Sequence, residues 1–180
     1  MRKISTILVL LFLLNGTDLN GREIPKVVQT ELNHIFPGGY SEVLLFLTDN
    51  EKRNIEAISK SKLNSQILTV YINESEEDNR FAILSNAIIR THNILFFTIL
   101  GYDGSVTDIR IFIFNEPRDF YPTESWLALL RGKSNPENLF PGSTLANITG
   151  ATLTAQTICR KLREVLSIYQ NKISELEGQH

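Results

Sequence analysis

Apolar positions along the chain alternate between a helical and a strand-like period. Ile24, Val27, Val28, Leu32 and Ile35 recur at near-helical spacing, and Pro37-Gly38-Gly39 stops that run, which predicts a first helix. "SEVLLFLTD" reads as a strand, "DNEKRNIEAISKSK" as a helix presenting Ile55 and Ile58, and "SQILTVYINE" as a strand bounded by the acidic turn "ESEEDNR". Three β-branched and aromatic runs follow: "FAILSNAIIRT", "NILFFTILGY" and "SVTDIRIFIFN". Asp103-Gly104, a tight-hairpin dipeptide, separates the last two. Ile109, Ile111 and Ile113 fall on one face with Arg110 and Phe112 on the other, while Val106 is out of phase. An antiparallel sheet with one covered face fits this pattern. Pro117 and Pro122 then break the strand, Thr123 can cap, and Trp126, Leu127, Leu129 and Leu130 form a short helix ending at Gly132. After a loop, Ile158, Leu162, Val165, Leu166, Tyr169, Ile173 and Leu176 give a last helix one core-facing stripe. The predicted class is α+β: an antiparallel sheet with flanking helices and a long C-terminal helix.

Composition narrows the function classes. With 42% hydrophobic and 21% charged residues over 180 positions, the chain holds about one globular domain. Its net charge of −2 gives no cationic surface for a phosphate backbone, so nucleic acid is not an expected partner. Arg2 and Lys3 precede an unbroken apolar run, Ile7 to Leu14, too short to span a bilayer as a helix. That layout predicts a secretory signal peptide over residues 1–21, with an uncleaved membrane anchor as the alternative. The mature chain is then expected across the cytoplasmic membrane, in a periplasm, tethered if the segment is retained.

Chemistry is sparse. A lone Cys159 excludes intramolecular disulfides, and at its helical position it reads as a small half-buried residue. His34, His92 and His180 have no metal-ligand spacing, and no general base, nucleophile or metal set for independent catalysis is legible. One segment stands apart: "TGATLT", residues 149–154, places three hydroxyls and a glycine at the entrance of the last helix. Thr149 can serve simply as its N-cap, with Gly150 and Ala151 permitting the turn. A cap needs one hydroxyl, however, and the segment lacks the Glu or Gln of a capping box. The second reading is an anion site: free N–H groups and the helix dipole favour a phosphate, small residues let it approach, and the hydroxyls donate to it. The missing Lys and missing G-x-x-x-x-G-K-[ST] spacing argue against a nucleoside triphosphate.

"ITGATLTAQTICRKLREVL" resembles the [S/T]-G-A-T-x-[T/S] stretch of the FMN-binding domain found in the C subunit of sodium-pumping NADH:quinone reductase and the G subunit of the Rnf complex. "LGYDGSVTDIRIFIFNEPRDF" resembles that domain's strand, D-G turn, strand and acid-Pro corner, and "WLALLRGK" its helix ending in G-K. The likeness divides the chain into residues 1–21, an N-terminal helical and strand region over 22–66, and an FMN-binding domain over 67–177. It implies that Thr152 is where FMN is attached, through a phosphoester made from FAD by a separate flavin transferase. Thr149, Gly150, Ala151, Leu153 and Thr154 would line the phosphate and ribityl chain, with Glu116, Trp126 and Lys133 as further pocket residues. Trp126, Tyr121 and Phe120 would flank the ring or pack in the core. Two positions depart from the family pattern: Ala146 stands six residues before Thr152, where covalently modified members carry Asp, and the corner reads "NEPRDF".

The resemblance implies an extracytoplasmic electron carrier more than an independent enzyme, exchanging electrons with redox partner proteins, membrane-bound ones among them. The alternative is a flavin-free envelope interaction module that keeps the same fold.

Overall fold

The computed structural model describes residues 24–75, 78–140 and 152–174. Its centre is a five-stranded antiparallel sheet in simple meander order: β1 (Tyr40–Phe46), β2 (Ile67–Asn73), β3 (Phe81–Ile89), β4 (His92–Leu100) and β5 (Val106–Phe114). Helices α1 (Lys26–Ile35), α2 (Asp49–Ser59), α3 (Glu124–Ala128) and α4 (Thr152–Ile168) flank it, and α4 runs on through a π-helical turn, Tyr169–Ile173. The fold is α+β with a long C-terminal helix. β1 pairs with β2 along its whole length, so a strand that precedes Ile67 shares one sheet with the strands that follow it.

Local chemistry sets most boundaries. α2 opens on a capping box in which the Thr48 hydroxyl accepts from the Glu51 N–H and the Glu51 carboxylate accepts from the Thr48 N–H. α3 opens on Thr123, whose hydroxyl accepts from the Trp126 N–H. Two short 3-10 turns, Arg118–Phe120 and Pro136–Leu139, lie where the sequence reads as loop. The second is started by Asn135, which accepts from the Glu137 N–H.

The hairpins differ from the sequence expectation. Asp103-Gly104 lies within a five-residue connection, 101–105, closed by a bond from the Gly101 N–H to the Ser105 carbonyl. The two-residue turn is Arg90-Thr91 instead, with Arg90 in the left-handed region at φ 52°. No glycine or asparagine marks it, so its pattern was silent. Two register shifts along the β4–β5 pair explain why Val106 reads out of phase. The first lets Val106 and Ile109 both face the core; the second brings Phe114, not Ile113, against that core.

Both faces of the sheet carry helices. On the inner face, α2, α3, α4 and the Pro136–Leu139 turn enclose a core that includes Ile55, Val70, Ile94, Phe96, Trp126, Leu130, Ile158 and Leu162. On the outer face, α1 covers Tyr71, Ala82, Phe97 and Ile99 with Val28, Leu32, Ile35 and Phe36. The expectation of a single covered face is corrected by α1. The single stripe expected of the last helix is corrected too, because α4 is buried nearly all round from Thr157 to Ile168. Sandwiched between the sheet and the α2 layer, it turns even Arg163 and Glu164 inward. Arg163 donates to the Ser59 and Leu139 carbonyls and lies 4.3 Å from the Phe140 ring centroid, while Glu164 accepts from Ser61 and Lys161.

Candidate functional site

The first turn of α4 splits the hydroxyl cluster between solvent and core. Thr152 is exposed and Leu153 is 46% exposed, whereas Thr154 is 1% exposed. Helical geometry dictates this: Thr154, Ile158 and Leu162 are spaced by four and share the inward stripe. The Thr154 Oγ1 has no hydrogen-bond partner. A hydroxyl buried on an apolar stripe without a partner costs roughly 1–3 kcal/mol relative to one that is bonded. Thr154 is the third residue of the 17-residue α4, near the helix end that carries partial positive charge. Thr149, Gly150 and Ala151 lie outside the described residues.

The remaining candidates are distributed along the sheet. Gln170, near the far end of α4, donates to the Ser134 carbonyl, and the Lys133 carbonyl accepts from the Val106 N–H. Lys133 thus sits at the β4–β5 hairpin end, about 27 Å along the helix axis from Thr152. The structure does not bring Lys133 to the helix entrance. Glu116 follows β5 at its other end, separated from Lys133 by the nine residues of that strand. Its side chain is 4% exposed, and Oε1 makes no hydrogen bond although His92 Nδ1 lies 3.5 Å away. At 3.5 Å the two groups approach one another without a directional hydrogen bond. Trp126, 5% exposed, packs in the main core with Leu127 and Leu130.

Around Glu116, aromatic and cationic side chains gather that sequence reasoning did not connect. Arg90 lies 4.3 Å from the Phe120 ring centroid, and Tyr121 meets Phe114 edge-on at 5.0 Å. Burial, and then the charge of Glu124, push the Tyr121 phenol up from its ordinary value. The two-residue β3–β4 turn brings Arg90 and His92 to this corner; without a turn signature at Arg90-Thr91 the grouping left no trace in the sequence.

A cleft of about 530 Å³ opens elsewhere, between Ile58, Asp103, Gly104, Ser134, Tyr169 and Gln170. It belongs to the hairpin end and is remote from Thr152 and Thr154. Among the described residues, no group of three or more His, Cys, Asp or Glu side chains is placed to hold a metal ion. Comparison with known proteins adds no likeness: no protein-family model, no curated protein and no solved structure matches the chain.

Proposed function

We propose that the chain is an extracytoplasmic FMN-binding electron-transfer protein that seats the FMN phosphate at the entrance of α4. The observation that carries this reading is the buried hydroxyl of Thr154, without a hydrogen-bond partner among the described residues, in the first turn of a helix whose Thr152 is exposed. A buried donor near the positive end of a helix suits a phosphate oxygen, and an exposed Thr152 is reachable by a modifying enzyme. When bound, FMN supplies the redox chemistry by accepting and releasing one or two electrons.

The chain's own residues do the rest. Thr154 and the first-turn amides would hold phosphate oxygens, and Thr149, Gly150, Ala151 and Leu153 of the T-G-A-T-L-T motif would line the phosphate and ribityl chain. Thr152 Oγ would be the point of attachment, joined to the FMN phosphorus by a separate flavin transferase that would draw on FAD and release AMP together with the hydroxyl proton. Glu116 keeps a buried carboxylate oxygen available as an acceptor, whereas Trp126 and Lys133 serve the core and the hairpin end. Redox partner proteins, membrane-bound ones among them, deliver and remove the electrons.

The test is expression with a flavin transferase, followed by denaturation and measurement of fluorescence that stays with the polypeptide. The wild type is expected to be labelled, Thr152→Ala to be dark, and Thr154→Ala to remain labelled. A wild type that is dark and unshifted in mass, while a proven substrate of the same transferase is modified, overturns the covalent form. Ala146 in place of Asp favours the second reading, a flavin-free interaction module, and a chain that also releases no FMN on denaturation would support it.

A further inference from the structure

The two edges of the sheet are finished differently. β5 is shifted in register twice against β4, and at its start Val106 exchanges hydrogen bonds with the chain beyond α3. The Val106 N–H donates to the Lys133 carbonyl at 2.9 Å, and its carbonyl accepts from the Gly132 N–H at 2.8 Å. Bulges and a covering segment both keep an edge from pairing further. Among the described residues β1 carries neither. It pairs with β2 in unbroken register from Tyr40 to Phe46, and its sequence, YSEVLLF, holds no Pro, Gly, Lys or Arg.

The ladder fixes which groups β1 turns outward. The Leu47 N–H donates to the Gln66 carbonyl and the Glu74 N–H to the Gly39 carbonyl, beside the register pairs Phe46–Ile67 and Tyr40–Asn73. Bonded pairs recur at every second residue of an antiparallel ladder. Ser41, Val43 and Leu45 therefore bond β2, while the N–H and C=O groups of Tyr40, Glu42, Leu44 and Phe46 point to the open edge. No backbone group of the described residues bonds those of Tyr40, Leu44 or Phe46 on that side.

A row of amide donors and acceptors along an extended strand is matched by another strand. β1 is itself a matching strand. Set antiparallel to a second copy about a two-fold axis at Val43, Tyr40 opposes Phe46 of the second copy and Glu42 opposes Leu44, so each outward residue gains a partner. Glu42 is the one charge on the strand, and in this register it does not face its own copy. An axis at Glu42 would set two carboxylates against each other. Leu44 and Phe46, 40% and 51% exposed, both acquire cross-strand neighbours.

We propose that β1 is a homodimerisation edge, where two chains join β1 to β1, antiparallel and centred on Val43, into one continuous sheet. The joint adds main-chain bonds at Tyr40, Glu42, Leu44 and Phe46 and leaves every bond of the β1–β2 ladder in place. It does not depend on the flavin reading.

The test uses the full chain. Val43→Cys sets a thiol against its own copy in a non-hydrogen-bonded pair, where antiparallel strands come closest, and is expected to give a disulfide-linked dimer under mild oxidation. Leu45→Cys, which meets Ser41 of the second copy, is expected to stay unlinked, and Cys159 is buried. Leu44→Glu places a carboxylate opposite Glu42 on both sides of the axis and is expected to weaken association about tenfold in sedimentation equilibrium. Leu44→Lys, facing the same carboxylate, is expected to keep the dimer, and Glu42→Lys added to Leu44→Glu to restore it. Circular dichroism reports the fold of each variant; should the cysteine variants misfold, the substitutions at exposed Leu44 decide. A chain that stays monomeric up to high micromolar concentration overturns the proposal. So does association indifferent to Leu44→Glu, or linkage through position 45 in preference to 43.

Discussion

The ring of Tyr169 lies directly over Gly104, and its hydroxyl donates to the Tyr102 carbonyl. This contact locks the end of the last helix to the β4–β5 connection. Gly104 has φ +73°, and a Cβ there would fall well inside the Tyr169 ring. Gly104→Ala therefore combines a left-handed backbone with displacement of a core aromatic, and should cost at least about 2 kcal/mol. Thermal unfolding should show a fall in Tm of roughly 4–8 °C, and a smaller effect would mean that the ring can move aside freely.

Thr154→Val separates a ligand-facing hydroxyl from a structural one. In the flavin-free protein it should be neutral or stabilising by up to about 1 kcal/mol, because it removes a buried donor that has no partner. FMN held without the covalent bond, measured in the Thr152→Ala background, should fall in the same variant. Urea unfolding and flavin absorbance check the two halves, and a destabilisation beyond about 1 kcal/mol would reveal an internal partner.

Arg163 joins three elements by donating from α4 to the Ser59 and Leu139 carbonyls while its guanidinium stacks on Phe140. Burial first, and then the charge of nearby Arg160, push its pKa down, so the fork is held by its bonds and not by easy solvation. Arg163→Met should cost about 3 kcal/mol by leaving two buried carbonyls unpaired. Arg163→Lys should recover only part of that, since a point charge cannot serve both acceptors and the ring. Denaturant midpoints of the two variants test the ranking.

Burial pushes the Cys159 thiol up to about 11, against which the charge of nearby Arg163 acts weakly. The folded state therefore favours the protonated thiol. Stability is unaffected below the unfolded value near 9 and falls as pH rises from there toward about 11, because the unfolded chain then ionises first. Native protein at pH 8 should be inert to a thiol reagent and react with one equivalent on unfolding. Prompt reaction of the folded protein would contradict this packing.

Much of this architecture was readable before any coordinates. The 3.6-residue spacing of Val28, Leu32 and Ile35, the β-branched runs of β3 to β5 and the Thr123 cap each encode their element locally, because they depend on neighbours within one turn or one strand. The T-G-A-T-L-T motif was legible in the same way, as hydroxyls placed before an apolar stripe.

What tertiary structure decided depends on pairs far apart in sequence. No periodicity announces that α4 is buried nearly all round from Thr157 to Ile168, since Arg163 finds partners 24 and 104 positions away. Nor could the pattern show that the β4–β5 register shifts bring Phe114 to the core, that Lys133 and Glu116 stand at opposite ends of β5, or that β1, unlike β5, combines an unbroken register with an open edge. The sequence by itself determined the elements, their order and the hydroxyls at the helix mouth, through short-range sterics and amphipathic spacing. Only packing decided which hydroxyl is buried without a partner and which edge of the sheet stays open, because burial belongs to the space between elements.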